Sequence, residues 1–78
     1  MRHLLGLREK FGTRLKAIRL AKKMSQEEFS ELLDISVDFL SLIERGINAP
    51  SFENLEVFST QLRMPVHELF LFKETTEA

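Results

Sequence analysis

The chain has 78 residues, of which 44% are hydrophobic, 29% are charged and only five are glycine or proline. This balance is typical of one compact domain and excludes a fibrous protein, a largely disordered chain and a pair of independent domains. Cysteine is absent and the two histidines, His3 and His67, lie far apart, which excludes a disulfide framework and a zinc cluster. Because no apolar stretch exceeds four residues and no secretory signal precedes the helices, we expect a cytoplasmic protein without a membrane segment.

The charge of the chain is unevenly distributed, although its net value is only −1. Residues 1–23 contain eight basic side chains and one acidic side chain, a net charge of +7, whereas residues 24–78 contain three basic and eleven acidic side chains, a net charge of −8. A basic segment of this kind is typical of proteins that bind nucleic acid or an anionic membrane. A solvated basic helix without a binding role is the alternative that charge alone leaves open.

Hydrophobic spacing predicts five helices and no strand, and therefore an all-α fold. The first helix ends near Lys22, and its start is left open between Arg2 and Phe11 because the glycines at positions 6 and 12 each weaken a helix by up to ~1 kcal/mol. One stripe of this helix carries the apolar residues Leu4, Leu7, Phe11, Leu15 and Ile18.

The second and third helices are marked by capping residues. Residues 25–28 read Ser-Gln-Glu-Glu, a capping box that starts the second helix at Gln26, and Ser36 is the predicted N-cap of a third helix running from Val37 to about Arg45. Only residues 33–36 separate the two apolar patterns, which is the spacing of a helix-turn-helix. The apolar face of the second helix consists of Phe29, Leu32 and Leu33.

The fourth and fifth helices follow a loop that begins with Gly46, a residue suited to the end of the third helix. Ser51 is the predicted N-cap of the fourth helix, and a turn at residues 63–65 leads into the fifth. The fourth helix carries the stripe Leu55, Phe58, Ser59 and Leu62, and the short fifth helix carries Val66, Leu69 and Phe70.

Several sequence blocks together resemble a known family: Leu15, Ile18 and Arg19, then Ser25-Gln-Glu-Glu-Phe29, Ile35-Ser36, Ile43-Glu-Arg-Gly46 and Pro50-Ser51. They are similar to the phage-repressor-like helix-turn-helix family of Cro/XRE type, which includes the controller proteins of restriction–modification systems. The resemblance covers residues 11–70, with residues 1–10 as an N-terminal extension or the start of the first helix and residues 71–78 as a C-terminal tail. Asp34 and Arg63 stand where the family usually has glycine.

The resemblance implies a compact five-helix lambda-repressor-like DNA-binding domain and, for function, a sequence-specific transcriptional regulator that binds a two-fold operator in double-stranded DNA as a homodimer. Neither a cofactor, a metal, a small-molecule ligand nor enzymatic activity is expected. Two alternatives stay open: the DNA-binding antitoxin of a toxin–antitoxin pair, and a protein-interaction module that has kept the fold and lost DNA binding.

The resemblance also implies site residues. It predicts an internal ion pair between Arg19 and Glu44, and a contact of Gln26 with a DNA phosphate. Weaker candidates for phosphate contacts by position are Arg14, Lys23, Arg45 and Asn48.

The sequence of the third helix predicts an unusual base-reading surface, because none of its groove-facing positions carries the Arg, Lys, Asn or Gln that pairs bidentately with purines. We therefore expect apolar contacts with thymine methyl groups, weaker polar contacts and a contribution from DNA shape. The positions expected to face the groove are Ser36, Val37, Asp38, Ser41 and Leu42, with Phe39 at the edge.

A dimer interface is predicted at the end of the fifth helix. Phe70, Leu71 and Phe72 are consecutive, so one short helix does not bury all three, and Val57 is expected to join them. The alternative is that Phe72 folds back onto the first helix or onto Leu4.

Overall fold

The computed structural model describes residues 6–72, which form four α-helices and a short 3-10 helix. The helices are α1 (Leu7–Ala21), α2 (Gln26–Leu33), α3 (Val37–Glu44) and α4 (Phe52–Leu62), followed by the 3-10 helix at Val66–Phe70. No strand occurs in this part of the chain, so the predicted all-α fold is confirmed. None of the described helices is long and apolar enough to cross a membrane.

The prediction of five α-helices was wrong at the last element, which is a 3-10 helix. Its five residues follow Pro65, and the amide of Glu68 donates to the Pro65 carbonyl at 2.9 Å, a bond between residues three apart. A segment this short does not sustain the bonds between residues four apart that define an α-helix, and it winds more tightly instead.

Serine side chains fix the starts of three helices, as predicted. The Ser25 hydroxyl accepts from the Glu28 amide at 3.1 Å, while the Glu28 carboxylate accepts from the Ser25 amide at 2.9 Å. The Ser36 hydroxyl accepts from the amide of Phe39 at 3.0 Å. Ser51 forms a second capping box, with Asn54 as its partner, which the sequence pattern alone did not reveal.

Left-handed residues end two of the helices. Asp34, at φ 62°, follows α2, and Arg63, at φ 56°, follows α4, so both adopt the conformation for which the family usually employs glycine. Lys23, at φ 58°, is a third such residue and lies between α1 and α2. The left-handed conformation is about 1–2 kcal/mol less stable for a residue with a side chain, and the hydrogen bonds that close each turn must offset this free energy.

One apolar core joins all five elements. It consists of Phe11, Leu15 and Ile18 from α1, Phe29 and Leu33 from α2, Leu40 and Ile43 from α3, Leu55, Phe58 and Leu62 from α4, and Leu69 from the 3-10 helix. The predicted stripe was wrong at Leu7, which opens the first turn of α1, beyond the end of the core, and is 62% exposed. Leu4 lies outside the described residues.

The contact between α1 and α3 depends on Gly12. A side-chain carbon built at this buried glycine would overlap the carbonyl oxygen of Ile43 and lie 2.9 Å from that of Glu44. These atoms belong to the backbone of the last turn of α3, so moving them aside would disturb that helix. Gly12 therefore allows α1 to lie directly against the end of α3.

Replacing Gly12 with alanine should lower the thermal midpoint by roughly 5–15 °C, because overpacking at this crossing outweighs the gain in helix propensity. The matched control is Gly6→Ala, where the added carbon meets chiefly the flexible carboxylate of Glu9. Thermal unfolding followed by circular dichroism measures both changes. Equal midpoints for the two variants would show that the α1–α3 crossing has room for a methyl group.

Candidate nucleic-acid interface

The corner between α2 and α3 is closed by backbone bonds. The amide of Asp34 donates to the carbonyl of Glu31 at 3.2 Å, and the amide of Ile35 donates to that of Ser30 at 3.0 Å. The left-handed conformation of Asp34 turns the chain between these two bonds. Separately, Nε2 of Gln61 in α4 donates to the carbonyl of Leu32 in α2 at 3.0 Å, an exposed bond between these two helices.

The exposed side of α3 carries most of the residues predicted to face a DNA groove. Ser36 and Asp38 are exposed at its start, and Val37, Ser41 and Leu42 are partly exposed along it. Phe39 is also partly exposed but packs against the core, which leaves it at the edge of this surface.

Two further candidates follow α3 directly. Arg45 ends the helix, Asn48 lies in the loop behind it, and both side chains are exposed. The amides of Ile47 and Asn48 donate to the Leu42 carbonyl at 2.9 and 3.2 Å, which folds this loop against the end of α3. The structure therefore brings Arg45 and Asn48 to the same end of the helix.

Arg19 and Glu44 lie in contact inside the domain. Nε of Arg19 donates to one carboxylate oxygen of Glu44 at 2.8 Å, and Nη2 donates to the other at 3.0 Å, so the pair is bidentate. The side chains are only 10% and 3% exposed, respectively. The hydrogen bonding that Arg19 donates to the Glu44 carboxylate raises the pKa of Arg19 above its ordinary value, against the opposing effect of burial, so the guanidinium stays charged as pH rises.

The pair belongs to a larger network that the sequence did not predict. Nη1 of Arg19 donates to the carbonyl of Met24 at 3.1 Å, and Nε2 of Gln26 donates to Oε1 of Glu44 at 3.0 Å. Gln26, the predicted phosphate contact, is thus bound to the last turn of α3. The sequence around Gln26 gives no signal of this bond, because Glu44 lies 18 residues further along the chain.

The two basic candidates near α1 are placed differently. Lys23 is exposed in the turn between α1 and α2, two residues before the start of the α2 capping box. Arg14 is partly buried, and its Nε donates to the carbonyl of Glu68 at 3.0 Å. Arg14 therefore links α1 to the 3-10 helix, away from α3.

The three consecutive apolar residues at the end of the 3-10 helix separate onto two sides. The chain is extended at Leu71, with φ −82° and ψ 93°, so Phe70 and Phe72 fall on the same side, with ring centroids 6.0 Å apart. The Phe70 ring lies 5.1 Å from that of Phe11 in α1, whereas Leu71 is 55% exposed. Phe72 therefore packs beside Phe70 and against the core, and its contact with the first helix stays a prediction.

An apolar groove lies between the start of α4 and the 3-10 helix. Its walls include Phe52, which is 86% exposed, together with Val66 and the partly buried Phe70. Glu53 and Glu56 stand on its α4 side. Val57, predicted for a dimer interface, is 37% exposed on the same helix.

Removing one partner of the buried pair should be costly. Glu44→Ala is expected to lower the free energy of unfolding by about 3–5 kcal/mol, because it leaves the Arg19 charge buried without its carboxylate. The exposed Glu31→Ala on α2 is the control and should change that energy by about 0.5 kcal/mol or less. Urea unfolding measures both.

A companion variant separates charge from packing. Replacing both partners, Arg19→Met with Glu44→Leu, should recover much of the lost stability, since no buried charge then remains. If Glu44→Ala unfolds at the same urea concentration as Glu31→Ala, the pair has no structural role.

Comparison with known proteins agrees with this geometry. The model of the helix-turn-helix family matches residues 15–69. The control protein C.MunI of a Mycoplasma species is 39% identical over 62 residues, which are 78% of this chain and 84% of the relative. The control protein C.BamHI of Bacillus amyloliquefaciens is 36% identical over 68 residues, 86% of this chain and 84% of the relative. The transcriptional regulator SinR of Bacillus licheniformis is 37% identical over 67 residues, 85% of this chain but only 60% of the relative.

Solved structures show the same fold. The crystal structure of the restriction-modification controller protein C.AhdI from Aeromonas hydrophila has a TM-score of 0.75 and 35% sequence identity, and the match covers 81% of this chain and 96% of that one. The clp gene regulator ClgR from C. glutamicum has a TM-score of 0.74 and 30% identity, covering 85% of this chain and 86% of that one. With the family model matching most of its length, this chain belongs to the helix-turn-helix family of Cro/XRE type, a family of transcriptional regulators.

Proposed function

We propose that the chain is a cytoplasmic, sequence-specific transcriptional regulator that binds double-stranded DNA and has no enzymatic activity. The observation that carries the proposal is the exposed side of α3, held at a fixed angle by the buried network at its end. Membership of the helix-turn-helix family supports it, since the relatives named above are control proteins and transcriptional regulators. Binding to a rigid, regular surface such as a DNA groove requires a helix that is both exposed and firmly held.

The surface that reads the bases carries no side chain that pairs bidentately with a purine. Val37 and Leu42 supply apolar contacts for thymine methyl groups, and the carboxylate of Asp38 accepts from a cytosine amino group. The hydroxyl of Ser36 already accepts the Phe39 amide, but its own hydrogen remains able to donate to a base. Specificity therefore rests on these contacts together with sequence-dependent DNA shape.

Affinity comes mainly from phosphate contacts around α3. Lys23 before α2 and Arg45 after α3 provide positive charge at two sides of this surface, and Asn48 and Gln26 provide neutral donors. Arg14, which bonds to the 3-10 helix, is the least favoured of the predicted phosphate contacts.

Arg45→Ala should flatten the plot of log affinity against log salt concentration by about one unit, because one fewer counterion is released from the DNA. Arg63→Gln is the control: it removes an exposed charge at the end of α4, outside the helix-turn-helix, and should leave the slope unchanged. Fluorescence anisotropy with a duplex selected from a random library measures both slopes. If the unaltered protein binds no duplex in that selection, the interaction-module alternative is favoured over DNA binding.

We further propose that the regulator binds a two-fold operator as a homodimer, with the groove between α4 and the 3-10 helix as part of the interface. The exposed apolar side chains of Phe52 and Val66 line this groove, and the exposed Leu71 directly follows the 3-10 helix that forms one of its walls. Val57 adds apolar surface on α4, and the rings of Phe70 and Phe72 on either side of Leu71 in the chain are themselves partly exposed. A two-fold dimer places its recognition helices ~34 Å apart, one turn of DNA.

Leu71→Glu should convert the dimer to a monomer at micromolar concentration without loss of helical structure, because it places a charge in an interface that must exclude water. Leu20→Glu, an equally exposed leucine on α1, is the matched control and should leave the dimer intact. Sedimentation equilibrium decides the assembly state, and circular dichroism verifies the fold. A purely monomeric unaltered protein at high micromolar concentration, with and without DNA, contradicts the homodimer.

A further inference from the structure

We propose that Glu44 is a positioning residue of the DNA-binding surface, which acts by orienting the side-chain amide of Gln26 toward a DNA phosphate. This inference rests on the proposed DNA-binding function and adds a specific physical link to it. Glu44 stands in the last turn of α3, and its carboxylate accepts three hydrogen bonds at 2.8–3.0 Å: two from Arg19 of α1 and one from Gln26 at the start of α2. The three helices that build the candidate interface therefore meet at one buried carboxylate.

The chemistry of Glu44 selects one orientation of the Gln26 amide. An ionised carboxylate accepts hydrogen bonds and donates none, so the amide must turn its nitrogen, and not its oxygen, toward Glu44. That nitrogen carries a second hydrogen. A phosphate is also an acceptor only, and the amide held in this orientation offers it a donor, whereas the reversed amide would present its oxygen to the phosphate.

Arg19 keeps Glu44 in place for this task. Two of its nitrogens donate to the carboxylate and a third to the carbonyl of Met24, just before α2. The guanidinium is planar, so these bonds fix the position of the carboxylate relative to both helices. The amide of Gln26 is thus ordered before DNA arrives, which reduces the entropy lost on binding.

A double-mutant cycle tests the link. Gln26→Ala should weaken DNA binding roughly tenfold, the scale of one hydrogen bond to a charged group. In a Glu44→Gln background the same change should cost less than about twofold, because the amide introduced at position 44 both donates and accepts and no longer sets the orientation of Gln26. The thermal midpoint of Gln26→Ala should stay within a few degrees of the parent, which separates positioning from folding.

Gln61→Ala is the matched control. Gln61 is the only other glutamine of the chain, and its amide donates to a backbone carbonyl of α2 at a similar distance of 3.0 Å. Its loss should leave DNA affinity unchanged. An equal tenfold loss for Gln26→Ala in both backgrounds, with Glu44 present and with Glu44 replaced, would show that Gln26 contacts the phosphate independently and would overturn the proposal.

A second measurement covers the case in which Glu44→Gln does not fold. In ¹⁵N spectra of the unaltered protein, the two side-chain amide hydrogens of Gln26 should be well separated in chemical shift and protected from exchange, and they should move on DNA addition while those of Gln61 do not. Gln26 signals like those of a freely rotating glutamine would overturn the proposal. If no duplex binds, the proposed DNA-binding function is wrong. If the protein binds DNA but the Gln26 amide rotates freely, only the proposed role of Glu44 is wrong.

Discussion

The buried carboxylate of Glu44 is the constraint on which the arrangement of the helices depends. Burying an ionised carboxylate is expensive unless its lone pairs are satisfied, and here a bidentate guanidinium and an amide supply the donors. These bonds are directional, so they determine how α1, α2 and the end of α3 meet. An apolar pair of the same volume would fill the space but would leave the angle between the helices less closely specified.

α1 connects the two surfaces for which functions are proposed. On one side, Gly12 lets it approach the end of α3 and Arg19 reaches Glu44. On the other, the ring of Phe11 packs at a tilt against that of Phe70, and Arg14 donates to the carbonyl of Glu68. A single rigid helix thus relates the candidate DNA surface to the candidate dimer surface, which is what a protein reading two half-sites at a fixed spacing requires.

The basic side chains of the N-terminal third differ in how far they are exposed to a ligand. Arg19 is buried, Arg14 is partly buried against the 3-10 helix, and Lys23 is exposed beside α2. Summed charge therefore overstates the positive surface available to phosphate. α3 itself adds an acidic side chain, Asp38, and no basic one, so the positive charge of the domain lies outside the helix that is proposed to read the bases.

Local chemistry in the sequence determined the starts of α2, α3 and α4, the corner and most of the core. Ser25, Ser36 and Ser51 cap helices through bonds spanning three residues, and apolar periodicity places Phe29, Leu33 and Phe58 inside, because both signals act over one or two helical turns. The family blocks extended this to the pairing of Arg19 with Glu44, which spacing alone does not reveal.

Only the tertiary structure decided what depends on contacts between distant segments. The bond of Gln26 to Glu44 spans 18 residues and that of Arg14 to Glu68 spans 54, and no local pattern encodes either. By sequence Gly12 is only a weak point of a helix, whereas in the fold the backbone of α3 lies directly against it. The last element is a 3-10 helix and not the predicted α-helix. The ring of Phe72 lies beside that of Phe70 because the backbone is extended at Leu71, which the apolar pattern of the sequence does not show.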